Sequence, residues 1–226
     1  MAKKKTTRKE LLKKEDEFLT ISARAINYFN AHVNQFKIIG VVLAVIIVAY
    51  IAVQFYMRSV NKKGQDAYNN AYYTLTQKAG PDLDPQTLKQ SEELFQKLRH
   101  DYGMSKAARL ALPQIAFMKF VEKEYDEAIV LYREFLDEVS GNPEYESLTR
   151  LALSACYEAK GDLNAAMEAL NHIIKQPENS FKESAMLSIA RLYRLDHKDE
   201  KSKEILKEFV EKYPTSPFLP MAKARL

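Results

Sequence analysis

Lys160-Gly-Asp-Leu-Asn-Ala-Ala-Met-Glu-Ala-Leu-Asn-His-Ile173 is the clearest copy of a pattern that occurs again at Glu124–Phe135 and Lys198–Phe209, and more faintly at Gln90–Leu98. In each copy a small residue is followed four positions later by a large apolar one. The small residues are spaced 37, 38 and 36 positions apart, at Ser91, Ala128, Ala166 and Ser202. A regular period of about 20–50 residues is typical of stacked structural repeats.

The segment before each copy completes a helix pair. It carries its own small contact residue, at Ala116, Ser154 or Ala190. Residues 57–226 show no strand-like alternation, and they break into helix-sized pieces at glycine and proline. A single pair of this size cannot bury its apolar face alone, so neighbouring pairs must stack. The pattern predicts helices over 66–78 and 85–101, 105–121 and 125–139, 145–159 and 163–175, and 181–195 and 199–212, with a capping segment at 217–226.

A different kind of segment precedes the repeats. Residues 38–56 read IIGVVLAVIIVAYIAVQFY, with no charged residue. At about 1.5 Å per residue this helix would be roughly 28 Å long, close to the hydrocarbon thickness of a bilayer. A buried core helix is the alternative, but core helices seldom run this long without a charge. The 37 residues that precede it are too many for a cleavable signal peptide, which has a short basic region. We therefore expect a retained transmembrane helix.

Averages over all 226 residues hide this organisation. The net charge is +4, but residues 1–37 carry +5 and the rest of the chain −1. With 46% apolar residues, 28% charged residues and one cysteine, the composition excludes collagen, disordered tails and disulfide scaffolds. A nearly neutral body is not expected to bind nucleic acid through charge.

Lysine and arginine asymmetry predicts the orientation of the span. The N-terminal tail contains nine such residues, whereas the twenty residues after the span contain three, Arg58, Lys62 and Lys63. This favours an N-terminus in the cytoplasm and a C-terminal body on the opposite side of the membrane. Within the tail, apolar residues from Leu11 to Phe36 recur at helical spacings, so residues 7–37 form either an interfacial amphipathic helix on anionic lipid or a partly helical, solvated tail.

The repeats resemble the tetratricopeptide repeat family, in which each unit is a pair of helices. The second repeat carries the resemblance best, through Leu153, Ser154, Tyr157, Gly161, Ala166 and Leu170. The third keeps Ile189, Ala190, Tyr193, Leu206 and Pro214, with His197 at the glycine position and Ser202 at the alanine position. The first has Lys119 where tyrosine is usual, and Pro113 inside its first helix should kink that helix.

The fold class is therefore all-α, with a single N-terminal transmembrane helix followed by a tetratricopeptide-like helical-repeat solenoid. Three domains are expected: a basic cytoplasmic tail at 1–37, which is amphipathic under the first of the two alternatives above, the transmembrane helix at 38–56, and the repeat domain at 57–226. The repeat domain would hold about three repeats, an atypical first pair and a C-terminal cap.

Sites for catalysis are not indicated. The histidines at 32, 100, 172 and 197 are scattered over unrelated segments, although a zinc site needs clustered ligands. Cys156 lies within a predicted helix and is expected to be a small buried apolar residue, not a nucleophile. We expect no enzyme activity, no cofactor, no metal and no small-molecule substrate.

A repeat domain of this kind offers a groove for other proteins. In the family the resemblance points to, the first helix of each pair lines the concave face. The positions that map there are Leu110, Phe117, Phe120 and Val121 in the first repeat, Leu151 and Glu158 in the second, and Leu187, Arg191 and Arg194 in the third. An apolar end beside a two-arginine end would suit an extended peptide or a partner helix. The alternative is that the apolar members are interior packing.

The whole chain is similar to a bacterial inner-membrane family, the tetratricopeptide-like, membrane-anchored ancillary subunits of the SecYEG translocon. The similarity is carried by Asp101-Tyr-Gly-Met-Ser-Lys-Ala-Ala-Arg-Leu110 and Phe120-Val-Glu-Lys-Glu-Tyr-Asp-Glu-Ala128. It implies partners at the translocon, a periplasmic chaperone and translocated client proteins, with the bilayer contacted through residues 38–56. The alternatives are an anchored scaffold for another envelope assembly and, with the opposite topology, a cytoplasm-facing receptor for targeting signals.

Overall fold

The computed structural model describes residues 20, 23–77, 84–176 and 179–226, and within them the regular structure is helical. The chain divides into two compact units, Met1–Met57 and Arg58–Leu226. Most of the predicted basic tail, including the proposed helix start near Thr7, lies outside the described residues. Residues 23–31 are helical, and the first long helix, α1, is Val33–Gln77.

Eight further helices follow among the described residues of the second unit. They pack against one another in chain order, and the short last helix packs on the one before it. Their bounds are α2 Pro85–Asp101, α3 Lys106–Val121, α4 Tyr125–Glu138, α5 Pro143–Ala159, α6 Leu163–Lys175, α7 Lys182–Leu195, α8 Asp199–Lys212 and α9 Leu219–Lys223. The helices predicted at 85–101, 163–175 and 199–212 have the observed bounds, and those predicted at 105–121, 125–139, 145–159 and 181–195 differ by one or two residues. The helix predicted at 66–78 is not separate, because it is the C-terminal part of the continuous α1. The predicted capping segment contains α9.

Only α1 in the described part of the chain is long and apolar enough to cross a membrane. The helix that meets this criterion is Val33–Thr76, and its most apolar 18-residue window has a mean hydropathy of 2.8. None of that window is buried. Residues 57–65 are helical, so α1 continues from the apolar segment to Gln77 without a break.

Side-chain caps start four of the helices. Asp84, Ser105, Asn142 and Asp162 each accept a hydrogen bond from the backbone N–H three residues later, at 3.0–3.2 Å. In this position a side-chain oxygen satisfies one of the N–H groups that the first helical turn leaves unpaired. Pro85 and Pro143 follow two of these caps, where their missing N–H costs nothing.

The first helix of each of the three later pairs ends in the same way. Lys123, Gly161 and His197 adopt positive φ angles of 66°, 82° and 54°. The residue after each donates its N–H back to a carbonyl in the last helical turn, as Asp162 does to Tyr157 at 2.9 Å. A left-handed residue with this bond ends a helix and reverses the chain. The first helix of each of these pairs therefore ends at the same position of its repeat, whether or not that position is a glycine.

The predicted small residues lie at the helix–helix contacts. Ser91, Ala128, Ala166 and Ser202 are at most 1% exposed, as the repeat spacing predicts. Ser202 Oγ donates to the Ala190 carbonyl at 2.7 Å. Their large neighbours Phe95, Tyr132, Leu170 and Leu206 are also buried, and four apolar clusters follow one another along the unit. Stacking thus completes the core, as expected for repeats.

Gly64 does not break the helix, although the sequence divides into helix-sized pieces at other glycines: it lies inside α1 and is buried. A Cβ atom at Gly64 would lie 2.4 Å from Ser105 Oγ, so glycine is needed there for the close approach of the α3 N-terminus. Pro113 lies within α3, and the helix runs on both sides of it, from Lys106 to Val121.

Candidate functional site

A groove lies along the first helices of the first three pairs. It has a volume of about 390 Å³. Helices α1, α3 and α5 contribute most of its wall, and two buried rings of α4 close its base. We call this the aromatic groove, and its lining residues are Tyr68, Leu110, Pro113, Gln114, Tyr132, Phe135, Tyr145, Leu148, Thr149 and Ala152. Its volume lies within the range of about 300–1,000 Å³ typical of ligand sites.

Tyr68 lies where three helices meet in the groove. Burial raises the pKa of its phenol, and the neighbouring Tyr72 and Tyr145 raise it further. A side-chain hydrogen bond with Gln114 acts in the opposite direction. The Tyr68 ring also meets Phe95 edge-on at 5.3 Å between centroids, which fixes the ring against α2. The groove therefore has a rigid aromatic wall with polar tips.

Several large apolar side chains on these first helices remain exposed to solvent. Leu148 is 49% exposed, Tyr72 45%, Phe117 40% and Tyr145 39%. Phe117 shares a helix face with Leu110 and Gln114, because residues three, four and seven apart lie on one side of a helix. Clustered exposed apolar side chains on a folded protein mark interaction surfaces.

Sequence reasoning missed part of this surface. Leu148, Tyr145, Tyr68 and Tyr72 were not proposed as groove residues. The repeat register carried a signal for Leu148, because it precedes the buried Ser154 by six residues, as Leu110 precedes the buried Ala116. The tyrosines of α1 could not be placed in this way without knowing which residue of α1 is the small contact residue.

The predicted groove residues fall into two groups in the structure, those on the groove side and those packed between the helix pairs. Leu110 lines the aromatic groove, whereas Phe117 is exposed but does not belong to the lining. The other apolar members are half-buried and pack against four different apolar clusters: Val121 on the first, Phe120 on the second, Leu151 on the third and Leu187 on the fourth. These four contribute to stacking between the pairs.

The predicted two-arginine end is partly neutralised. Arg191 of α7 makes a two-pronged ion pair with Glu158 of α5, one arm being 2.6 Å from Nη2 to Oε2. Such pairs fix geometry as well as charge. Arg194 is exposed, and it has no ion pair within the part of the chain that the structure describes. The end of the surface in the third repeat therefore carries one unpaired guanidinium, not two.

Lys119 replaces the tyrosine of the other repeats and contacts carboxylates of α2 and of the turn between α3 and α4. Its Nζ lies 2.9 Å from Glu124 and 3.3 Å from both Glu92 and Glu122. The hydrogen bond with Glu124 raises the Lys119 pKa well above its usual range. The lysine joins α2 to the α3–α4 turn, which is a structural role.

Groups suited to chemistry are not assembled in the described residues. No three His, Cys, Asp or Glu side chains lie close enough to hold a metal ion there. Cys156 is fully buried, and burial raises its thiol pKa to about 11. The thiolate is the nucleophilic form of cysteine, so this residue is inert in the folded protein.

Comparison with known proteins agrees with this arrangement. A family model for the tetratricopeptide repeat-like domain matches residues 32–184, and a tetratricopeptide repeat model matches residues 184–216. Two crystal structures titled "Podosopora anserina putative kinesin light chain nearly identical TPR-like repeats" are similar, each with 14% identity and a TM-score of 0.51. Each alignment covers 76% of this chain and 83% of the other. At this identity the likeness concerns the fold alone. No curated protein matches the chain.

Proposed function

This chain belongs to the tetratricopeptide repeat-like domain family, and we propose that it is a membrane-anchored, non-enzymatic module that binds other proteins through the aromatic groove. Repeats of this type generally mediate contacts between proteins. The observation that carries the proposal is the row of exposed apolar side chains along the first helices, chiefly Leu148, Tyr145, Tyr72 and Phe117.

The chemistry of the groove suits an extended polypeptide or a helix with apolar anchors. Rigid tyrosine rings bury much apolar area at a low entropic cost, and their hydroxyl groups can bind backbone amides. Arg194, beyond the apolar part, adds one cationic contact. Few large anchors generally carry most of the affinity of such an interface.

We place the module at a membrane. The apolar window of α1 is not buried, whereas a core helix of a soluble protein would be. The excess of lysine and arginine in residues 1–37 supports an N-terminus in the cytoplasm and a periplasmic repeat domain, in a bacterial inner membrane.

Within that setting we assign the module to the Sec translocon, where it would assist translocated proteins together with a periplasmic chaperone. The support is the similarity of residues 101–110 and 120–128 to the ancillary-subunit family, together with the predicted order of tail, span and repeats.

Affinity capture from crosslinked cells tests the binding function. A double variant, Tyr145→Ser with Leu148→Ser, should lose the translocon and client proteins that the wild-type chain retains, because both side chains are exposed and line the groove. Val130→Ser is the matched control, because Val130 is also an exposed apolar residue but lies on α4, outside the groove lining. Equal recovery of partners by both variants would remove the groove from the function.

Protease shaving tests the topology separately. Intact spheroplasts should lose the repeat domain to added protease, since the periplasmic side is open to it. Digestion of the repeats only in inverted membrane vesicles would reverse the orientation and favour a cytoplasm-facing receptor.

A further inference from the structure

A second cleft, distinct from the aromatic groove, lies between α4, α5 and α6. Its volume is about 210 Å³, below the roughly 300–1,000 Å³ usual for small-molecule sites. We call it the arginine pocket, and its polar lining residues are Arg133, Arg150, Tyr157, Glu168 and His172. On α5 the pocket residues occupy a different helix face from the groove residues Leu148 and Ala152.

Arg150, which lines this pocket, has a side-chain nitrogen without a hydrogen-bond acceptor in the described part of the chain. Its Nε is buried and donates no hydrogen bond to any residue that the structure describes. None of the ion pairs in the described residues includes it. A buried donor without an acceptor is unfavourable, and the penalty is larger for a charged group. The charge of the Arg150 guanidinium is therefore uncompensated in the described residues, and an anion at the pocket that Arg150 lines would stabilise it.

Arg133 places a second guanidinium at the same pocket. Its Nη2 donates a 2.6 Å hydrogen bond to the Tyr157 hydroxyl, and its Cζ lies 5.8 Å from the centre of that ring. These contacts hold the arginine in place before any ligand arrives. Within the described lining, Glu168 is the one acidic residue, so two guanidinium groups face a single carboxylate.

The rest of the lining limits the kind of anion that fits. The apolar wall is formed by Leu136, Leu153, Ala165 and Ala169. Such a wall favours an acid attached to an apolar chain. Arginine binds a carboxylate with two parallel hydrogen bonds, which a pocket of this size can hold.

We propose that the arginine pocket binds a carboxylate side chain of an acidic, partly apolar segment of a partner protein, with Arg150 and Arg133 as its donors. This site is separate from the aromatic groove, and it depends on the proposed function only because its ligand is a protein. A chain with both sites would hold a partner at two points on different faces of α5.

Fluorescence anisotropy with the full-length chain in neutral detergent tests the proposal. The probe is a labelled peptide of repeated Glu-Ala-Leu-Glu, and the comparison peptide has glutamine in place of each glutamate. We expect Arg150→Gln to weaken binding of the acidic probe tenfold or more. Arg109→Gln, which removes an exposed arginine of α3, should leave the affinity unchanged.

Glu168→Gln provides a readout that a folding defect cannot imitate. Removing the carboxylate should tighten binding of the acidic probe severalfold, and circular dichroism of each variant checks the fold. The proposal is overturned if Arg150→Gln binds like the wild type, if the glutamine peptide binds equally well, or if inorganic phosphate displaces the probe more strongly than acetate at equal charge concentration.

The experiments can contradict the proposal for one site without contradicting the proposal for the other. Loss of partner capture in the groove variants with unchanged peptide binding at the pocket supports both sites. Normal partner capture by the groove variants would contradict the proposed function but not the weaker peptide binding expected for Arg150→Gln. Unchanged peptide binding by Arg150→Gln would contradict only the proposed carboxylate site.

Discussion

The hydroxyl of Ser91 in α2 donates a 2.9 Å hydrogen bond to the carbonyl oxygen of Ala71 in α1. The same bond joins Ser202 of α8 to Ala190 of α7 at 2.7 Å. Ala190 is the small residue in the first helix of the third repeat, and Ala71 is likewise buried. The end of α1 is therefore the first helix of a repeat pair, which explains why Tyr68 and Tyr72 lie on the groove side.

Ser91→Ala should lower the free energy of unfolding by about 0.5–1.5 kcal/mol, because one buried hydrogen bond is lost. Urea unfolding in detergent, followed by circular dichroism, measures this. Ser91→Leu should cost more, since no room exists for the side chain between α1 and α2. Ser140→Ala, at an exposed turn, is the control. No change for Ser91→Leu would show that α1 and α2 are not packed as described.

Gly64→Ala should destabilise the chain by about 1–3 kcal/mol, because the new Cβ would lie 2.4 Å from Ser105 Oγ and 2.6 Å from Ser105 Cβ. Adding Ser105→Gly should recover part of the loss, since it removes both clashing atoms and glycine is a tolerable N-cap. Gly40→Ala, with nothing within 4 Å, should be silent. Strict additivity of the two substitutions in thermal unfolding would argue against the contact.

His197→Gly should raise the free energy of unfolding by about 0.5–1 kcal/mol, because His197 has a φ of 54°, a conformation that costs energy for any residue with a Cβ. Gly161→Ala, at the equivalent turn with a φ of 82°, should change stability in the opposite direction. Chemical unfolding of the two variants gives the signs. Destabilisation by His197→Gly would mean that the imidazole makes a contact that matters more than the backbone strain.

Cys156 should resist alkylation in the folded chain. With a pKa of about 11, only about one thiol in a thousand is ionised at pH 8, and the side chain is fully buried. Burial raises the thiol pKa in the folded chain, so the neutral thiol contributes to stability at neutral pH. This contribution is lost as the pH rises above about 8.5, the pKa of the thiol in the unfolded chain. Mass spectrometry after maleimide treatment should show labelling only in denaturant. Complete labelling within minutes under native conditions would be incompatible with the buried position.

Local signals were sufficient to predict the helices. Asp84 with Pro85, and Gly161 with Asp162, mark helix ends through their own backbone preferences, so the sequence located these boundaries closely. The spacing of Ser91, Ala128, Ala166 and Ser202 then gave the pairing. Such features depend on residues that are near one another in the chain or repeat with a fixed period.

Contacts between distant residues were harder to predict. Glycine usually marks a helix end, but Gly64 lies inside α1. Its role there depends on the packing of Ser105 against α1, which the sequence does not show. Arg191 reads as a free cation, and its neutralisation by Glu158 depends on the register of α5 against α7. Arg150 carries no motif at all, and only the burial of its Nε marks it.

Site-specific photo-crosslinking in living cells tests the central claim most directly. A photoreactive phenylalanine analogue at Leu148, in the aromatic groove, should form adducts with translocon subunits or translocated proteins. The same analogue at Val130, equally apolar but outside the groove lining, should form few or none. Adducts at Val130 without adducts at Leu148 would contradict the groove as the protein-binding surface.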